Sequence, residues 1–445
     1  MSTSAKESET VVIRNQSSNN NYSLILNRPK ALNSLNVEMI NQMTAFYKSL
    51  VSTKQPCVVV VKGAGDKAFC AGGDVRRLYD MKVVENKSIE DIMLFFKLEY
   101  ELDHLMGTLG TSHAGIHNVC IWNGIVMGGG VGISVHGRYR IATEHTLFAM
   151  PESAIGFYTD VGGAHFLPRL VPKGLGMYLA LTGHRLKGSD VLHAGIATHF
   201  VPEKRLAEME KLLLQTKYPE SVPCILNEFA VHPTKLPPFS LVSHLEQIEK
   251  HFSLDSAEKI VTSLKADGEK SVDSFAHQTR ITLESVSPTS LKIIHRALTE
   301  GQNKTLKQVL DMELAIVTQC FKSHDTIEGI RAVLVDKDKN ARWNPSQLSQ
   351  VDNSLIDKPK CNKKKIICTI FAIFKFIFAD VVSYFIWKQQ NKPFLFCQFL
   401  FLCLKIHSNT QKPEQWTNSL EIVFFGVSVF GNYRKNYCNI LFQDR

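Results

Sequence analysis

The sequence predicts a mixed α/β domain followed by a helical C-terminal part, and three observations carry that prediction. From Val11 to about Val201, short β-branched runs alternate with stretches of helical periodicity. Beyond about Pro219 the strand signals fade, and helical periodicity alone continues to about Trp343. Two glycine-rich turns each follow an apolar strand, the position at which open α/β folds commonly bind ligands.

Taken in order, residues 22–27, 56–62, 119–123, 139–143 and 146–150 read as strands, because β-branched and aromatic residues cluster there between turn signals. Residues 36–51 read as an amphipathic helix with Asn36 as its cap. A longer helix is expected over 88–106, another after Gly128, and a fourth over 203–215. Residues 240–252, 256–266, 290–299 and 306–320 carry the periodicity of the helical part. These signals divide the chain into an N-terminal segment (1–20), a core with the candidate site (21–218), a helical region (219–350) and a tail (351–445).

The tail has a different composition. It is rich in Phe, Ile, Lys and Asn, and residues 361–445 hold half of the chain's 26 phenylalanines. The run 366–387 is long enough for a membrane span, with Lys363, Lys364 and Lys365 ahead of it. Lys375 and Asp380 near its centre argue against a span, at about 2.5–3.5 kcal/mol each. The other reading, favoured on that count, is an extension foreign to the fold.

Composition excludes several classes. A chain of 445 residues with 44% hydrophobic and 21% charged residues is globular. The net charge of +9 is spread along the chain without an arginine-rich stripe, so it suits anionic small molecules rather than nucleic acid. Cys57, Cys70, Cys120, Cys224 and Cys320 are isolated, without a Cys-x-x-Cys pair, and read as buried reduced thiols. His113 and His117 are four apart but have no third ligand in register, so no metal is expected.

Three stretches carry chemistry. After the strand 58–61 comes a turn in which Gly72 and Gly73 leave the backbone open to a ligand oxygen. After the strand 119–123, Gly128, Gly129, Gly130 and Gly132 open a helix, whose unpaired N–H groups suit a developing oxyanion. The spacing is neither a dinucleotide fingerprint nor a P-loop. Either turn alone is also an ordinary glycine-rich turn. Together they supply two backbone donors for a thioester carbonyl, each worth about 3–4 kcal/mol in a transition state. The third stretch places Glu152 after an apolar strand and Asp160 eight residues on. An apolar setting raises a carboxyl pKa into the range useful for acid–base work. Asp160 as the cap of a helix beginning at Val161 is the plain alternative.

In this order and spacing, the three stretches resemble the crotonase (enoyl-CoA hydratase/isomerase) superfamily. The matching segments are 26–33, 67–74, 127–132, 148–163, 181–183, 194–201, 287–292 and 328–338, so the resemblance covers about residues 10–350. The later segments are similar to the thioester-hydrolase branch of that family. The resemblance implies a crotonase-type spiral of ββα units with a helical C-terminal part. It implies hydrolysis of the 3-hydroxyisobutyryl-CoA thioester, a step of valine breakdown. Carried over by position, the N–H groups of Gly73 and Gly129 form the oxyanion hole, Glu152 is the catalytic glutamate and Asp160 works beside it. Glu99 matches an acidic substrate contact, and Lys30 a basic residue near the CoA phosphates. Gly132 stands where hydratases of the family carry a second glutamate, which turns the expectation from hydration to hydrolysis. Glu152 then acts as general base toward water or as nucleophile through an anhydride.

The resemblance further implies an acyl-CoA as partner, no cofactor beyond the CoA of the substrate, a possible homo-oligomer and a mitochondrial location. The N-terminus, with Glu7 and Glu9, has no Arg-rich presequence character, so the cytoplasm is the alternative. One departure from the family pattern falls at 111–120, just ahead of the strand that leads to Gly129. A misfit there would loosen the oxyanion hole. Two other functions therefore stay open: another crotonase reaction in which Glu152 shuttles a proton at the α-carbon, and an inactive or membrane-tethered CoA-ester-binding protein.

Overall fold

The structure is a computed structural model that describes residues 10–16, 19–112, 115–269 and 271–352. The chain divides into two units, Met1–Pro359 and Lys360–Arg445, and every described residue belongs to the first. The expected apolar run at 366–387 and His113 lie outside the described residues. No helix among the described residues is long and apolar enough to cross a membrane.

Among the described residues, ten strands form two sheets. The six-stranded sheet runs β1 (Val11–Gln16), β2 (Asn21–Leu26), β3 (Cys57–Gly63), β5 (Ile116–Trp122), β7 (Tyr139–Ala142) and β10 (His199–Phe200). Among the described pairs of this sheet, only β1–β2 is antiparallel. The second sheet runs β4 (Ala68–Cys70), β6 (Ile125–Met127), β8 (Leu147–Ala149) and β9 (Leu186–Lys187). The chain alternates between sheets: β3 leads to β4, β5 to β6 and β7 to β8. Each excursion adds one parallel strand to both sheets, which builds the expected spiral.

Helices follow the same rhythm. They are α1 (Val37–Thr53), α2 (Val75–Tyr79), α3 (Ile89–Ser112), α4 (Gly129–Val135), α5 (Gly163–Phe166), α6 (Leu175–Thr182), α7 (Asp190–His193), α8 (Glu203–Gln215) and α9 (Val222–Phe229). Asn36 caps α1 as expected, its Oδ1 accepting the Met39 N–H at 2.8 Å. The helical region supplies α10 (Leu245–Phe252), α11 (Ala257–Gly268), α12 (Phe275–Ser285), α13 (Pro288–Gly301), α14 (Leu306–Cys320) and α15 (His324–Ile330).

Strand β3 is buried on both faces, which explains its uninterrupted valine run. Val58 and Val60 join Val119, Ile121 and Ile141 in packing against Met209 and Leu213 of α8 and Leu226 and Phe229 of α9. Val59 and Val61 face the main core with Cys120, Trp122 and Phe69. The departure at 111–120 leaves strand pairing intact on its described side. Gly115 accepts the Cys57 N–H at 2.9 Å, and β5 pairs in register with both β3 and β7. Cys57, Cys70, Cys120 and Cys320 are buried free thiols, whereas Cys224 is exposed, on the outer face of α9.

Candidate active site

The two glycine turns meet because β4 and β6 are neighbours in the second sheet. Gly73 is held by a parallel bridge to Leu35, with Leu35 N–H bonded to Gly72 and Asp74 N–H bonded to Leu35, both at 2.8 Å. Gly129 begins α4, so its N–H has no acceptor within the helix. A Cβ built on Gly129 would lie 3.2 Å from the Gly73 nitrogen, and one on Gly72 3.8 Å from the Gly129 nitrogen. Gly128 has φ +46°, and a Cβ there would sit 3.2 Å from Glu152 Oε1. Two backbone donors and one carboxyl therefore face one small space.

Helix α3 supplies the next wall. Its residues four apart, Glu99, Asp103 and Gly107, run along α4 opposite Gly129, Gly132 and His136. A Cβ on Gly129 would collide with Glu99 Oε1, and one on Gly132 would come within 2.9 Å of Asp103 Oδ2 and 2.6 Å of Val161 Cβ. Glycine at both places is what lets the carboxyl-bearing face of α3 lie against α4.

The third wall is the segment from Glu152 to Ala164. Glu152 opens a short 3-10 turn (Glu152–Ile155) after β8 and is only 6% exposed. Asp160, 5% exposed, accepts the Tyr100 hydroxyl at 2.8 Å. Its side chain does not cap a helix at Val161. Helix α5 starts at Gly163, its cap position is Gly162, and Asp160 contributes only its carbonyl, which accepts the Gly163 N–H. Val161 has φ +51°, a strained conformation for a β-branched residue.

These walls enclose an unusual electrostatic setting. Glu99, Asp103, Glu152, Asp160 and Glu313 of α14 are all buried. Among the described residues, both Asp103 oxygens, Glu99 Oε1 and Glu152 Oε2 have no hydrogen-bond partner. Burial drives the Glu152 carboxyl well above its usual range, and the nearby Asp160 charge adds to the effect. Burial does the same to Glu99 and Asp103, with neighbouring carboxylates reinforcing it. Asp160 is pushed up to about 7 by burial, against the pull of the Tyr100 hydrogen bond. Burial thus favours the neutral form of these carboxyls, beside two neighbouring backbone amides. Such a site polarises a carbonyl and moves a proton on or off an attacking or leaving group.

Of the residues singled out in the sequence, Gly73, Gly129, Glu152, Asp160 and Glu99 come together here. Lys30 does not join them: it is exposed in the 3-10 turn Pro29–Ala31. Its neighbour Arg28 pairs with Asp74 at 2.9 Å and braces the Gly73 turn. Tyr100, Asp103 and Glu313 escaped the sequence reading. Asp103 had a signal, its four-residue spacing from Glu99 on one helix; Glu313 had none.

The fold and this pairing of glycine amides with buried carboxyls define an enzyme that works on acyl thioesters, and the chain belongs to the enoyl-CoA hydratase/isomerase family, whose profile matches residues 22–359. It is 46% identical over 338 residues to the mitochondrial 3-hydroxyisobutyryl-CoA hydrolase of Xenopus laevis, covering 75% of this chain and 84% of that one. Over 333 residues it is 44% identical to the protein of the same name from Homo sapiens, covering 74% and 83%. Among solved structures it resembles a carnitinyl-CoA dehydratase from Mycobacterium thermoresistibile, with TM-score 0.67 and 29% identity, covering 78% of this chain and 95% of that one.

Proposed function

We propose that this chain hydrolyses 3-hydroxyisobutyryl-CoA to 3-hydroxyisobutyrate and free CoA. The observation that carries the choice of reaction is the space at Gly132. Hydration of an enoyl bond would need a second carboxyl there in addition to Glu152, and any Cβ at 132 meets Val161 and Asp103 at 2.6–3.0 Å. One general acid–base carboxyl next to an oxyanion hole suits attack on the thioester carbonyl instead. The hydrolase name shared by the relatives supports the same substrate.

In this reaction the thioester oxygen takes the Gly73 and Gly129 N–H groups, which stabilise the charge that develops as the carbonyl becomes tetrahedral. Glu152 either takes a proton from the attacking water or attacks the carbonyl itself. In the second route an acyl anhydride forms and water then cleaves it. In both routes the C–S bond breaks, and the proton released by water ends on the CoA sulfur. Asp160 accepts the substrate hydroxyl, and Glu99 closes the opposite side of the acyl pocket. Lys30, exposed in the turn Pro29–Ala31, is the residue that the family resemblance assigns to the CoA phosphates. No cofactor is needed, since CoA is part of the substrate.

The word mitochondrial in the relatives' names supports that compartment, and cell fractionation tests it. Self-association, implied by the family resemblance, is read by sedimentation of the purified chain.

The deciding experiment is thiol release from 3-hydroxyisobutyryl-CoA by the parent protein, Glu152→Gln and Asp160→Asn. Rapid release by the parent and a loss of about 100-fold or more in Glu152→Gln are expected. A folded parent that binds the ester and releases no CoA would refute hydrolysis in favour of another reaction or simple binding.

A further inference from the structure

Glu313 stands outside the reaction just described, yet it shares with Asp103 the deepest burial of the group, at 0% exposure. It projects from the middle of α14, about 150 residues beyond the segment that carries Asp160. Its Oε2 accepts the Gly162 N–H at 2.7 Å, and its Oε1 accepts the Ala164 N–H at 3.1 Å. Its own backbone carbonyl accepts the Tyr158 hydroxyl at 2.6 Å. That hydroxyl lies 3.4 Å from the Tyr100 hydroxyl, which donates to Asp160 at 2.8 Å. One residue of the helical region therefore grips the Asp160 segment on both sides, at Tyr158 and at Gly162 and Ala164.

Between those grips sits Val161, held at φ +51°. A β-branched residue leaves that region unless its neighbours prevent it. Its carbonyl is fixed by His136 Nε2 at 2.8 Å, and Glu313 fixes the next amide along the chain. If Val161 relaxed to negative φ, the peptide joining it to Asp160 would turn, and the carboxyl would swing away from Tyr100. A plain folding role would be served by any apolar residue filling this space. A buried carboxyl is a costly choice for that purpose: burial drives it well above the ordinary carboxyl range, against the pull of the Gly162 and Ala164 N–H groups. The carboxyl's two oxygens let one side chain take the Gly162 and Ala164 amides at once, one on each oxygen.

We propose that Glu313 is a positioning residue for the reaction: a two-oxygen latch from the helical region that holds the strained Asp160–Gly162 turn and so aims Asp160. This proposal rests on Asp160 acting in the hydrolysis described above. Glu313→Gln keeps the size and one acceptor oxygen but opposes an N–H with its amide N–H2. It is expected to loosen the turn without emptying the core.

Two measurements on the full chain test it. The first needs no turnover: amide hydrogen exchange of the peptide spanning 157–164, expected to speed up at least about tenfold in Glu313→Gln, since a protected amide exchanges through local opening. The second is a double-mutant cycle on kcat/KM for CoA release, using Glu313→Gln, Asp160→Asn and the pair. Alone, Glu313→Gln should lose about 10- to 100-fold; on top of Asp160→Asn it should lose less than about twofold, because a latch that works through Asp160 has nothing left to aim. If Glu313→Gln does not fold, Tyr158→Phe takes its place in both measurements, removing the bond to the Glu313 carbonyl.

Unchanged exchange, or equal losses in both backgrounds, would overturn the proposal. Full activity in Asp160→Asn alone would sink the role given to Asp160, and the latch's catalytic purpose with it. Faster exchange in the variant of a parent that releases no CoA would leave the latch standing and reject the reaction.

Discussion

Asp160 is buried in the folded protein and solvated in the unfolded chain, and that difference has thermodynamic consequences. Its carboxyl is raised from an ordinary value near 3.8 to about 7. The folded protein therefore holds a proton that the unfolded chain gives up, so this residue's contribution makes stability fall as pH rises from about 4 to about 7, then level off. Asp160→Asn cannot ionise, so it should match the parent near pH 4 and exceed it above about pH 7. The gain is at most about 4 kcal/mol, roughly three pKa units at 1.36 kcal/mol each. Urea midpoints at the two pH values measure it, and a variant less stable than the parent at both would contradict the burial argument. The same ionisation governs activity. An Asp160 that accepts the substrate hydroxyl works in its charged form, so kcat/KM should climb through about pH 7 in the parent and lose that limb in Asp160→Asn.

At the scale of elements, the α3–α4 contact explains which parts of the site could be read from sequence. Gly73 and Gly129 were visible because a glycine after an apolar strand has few uses, and two such turns share one purpose. Glu152 and Asp160 stand out after a strand within a short segment, but their roles come from the family resemblance, since spacing alone leaves Asp160 equally a helix cap. Asp103 was hidden because its meaning depends on α4 crossing α3 with Gly132 beneath it, a contact between residues 29 apart in sequence. Fold class and most longer elements were legible from periodicity, which is local. The three-residue strands β4, β6 and β8 are too short to declare a period: only β8 fell within a longer expected strand, yet these strands bring the glycine turns together.

The helix contact also makes a prediction. Gly132→Ala puts a methyl group 2.6 Å from Val161 Cβ and 2.9–3.0 Å from both Asp103 oxygens. The neighbours are backbone-anchored and buried, so the overpacking should cost about 1–3 kcal/mol in urea denaturation. Gly132→Glu should lose hydrolysis without acquiring hydration of an enoyl-CoA ester. Appearance of the hydrated product would show that the space at 132 is more forgiving than the packing implies.

At the scale of the whole first unit, the candidate site lies at a junction between the spiral and the helical region. Ser287 N–H reaches Ser153 carbonyl at 3.4 Å, while the Ser287 hydroxyl bonds Asp325 at 2.6 Å. Thr326 donates to the Gly156 carbonyl at 2.8 Å, and Glu313 takes the amides of Gly162 and Ala164. Gly301 packs so closely on Ala164 that a Cβ there would meet its backbone. Every stretch of the segment from Glu152 to Ala164 thus has a partner beyond residue 286. Separating the two parts would break the hydrogen bonds that cross this junction, and each buried group left unsatisfied would cost about 1–3 kcal/mol. The segments 152–166 and 306–330 should therefore open together. In native-state hydrogen exchange their slowest amides are expected to share one opening free energy and one denaturant dependence. Exchange of 306–330 through a separate, lower-energy opening that leaves 152–166 protected would show that the spiral holds its catalytic segment unaided, and would move the origin of the site's geometry back into the spiral.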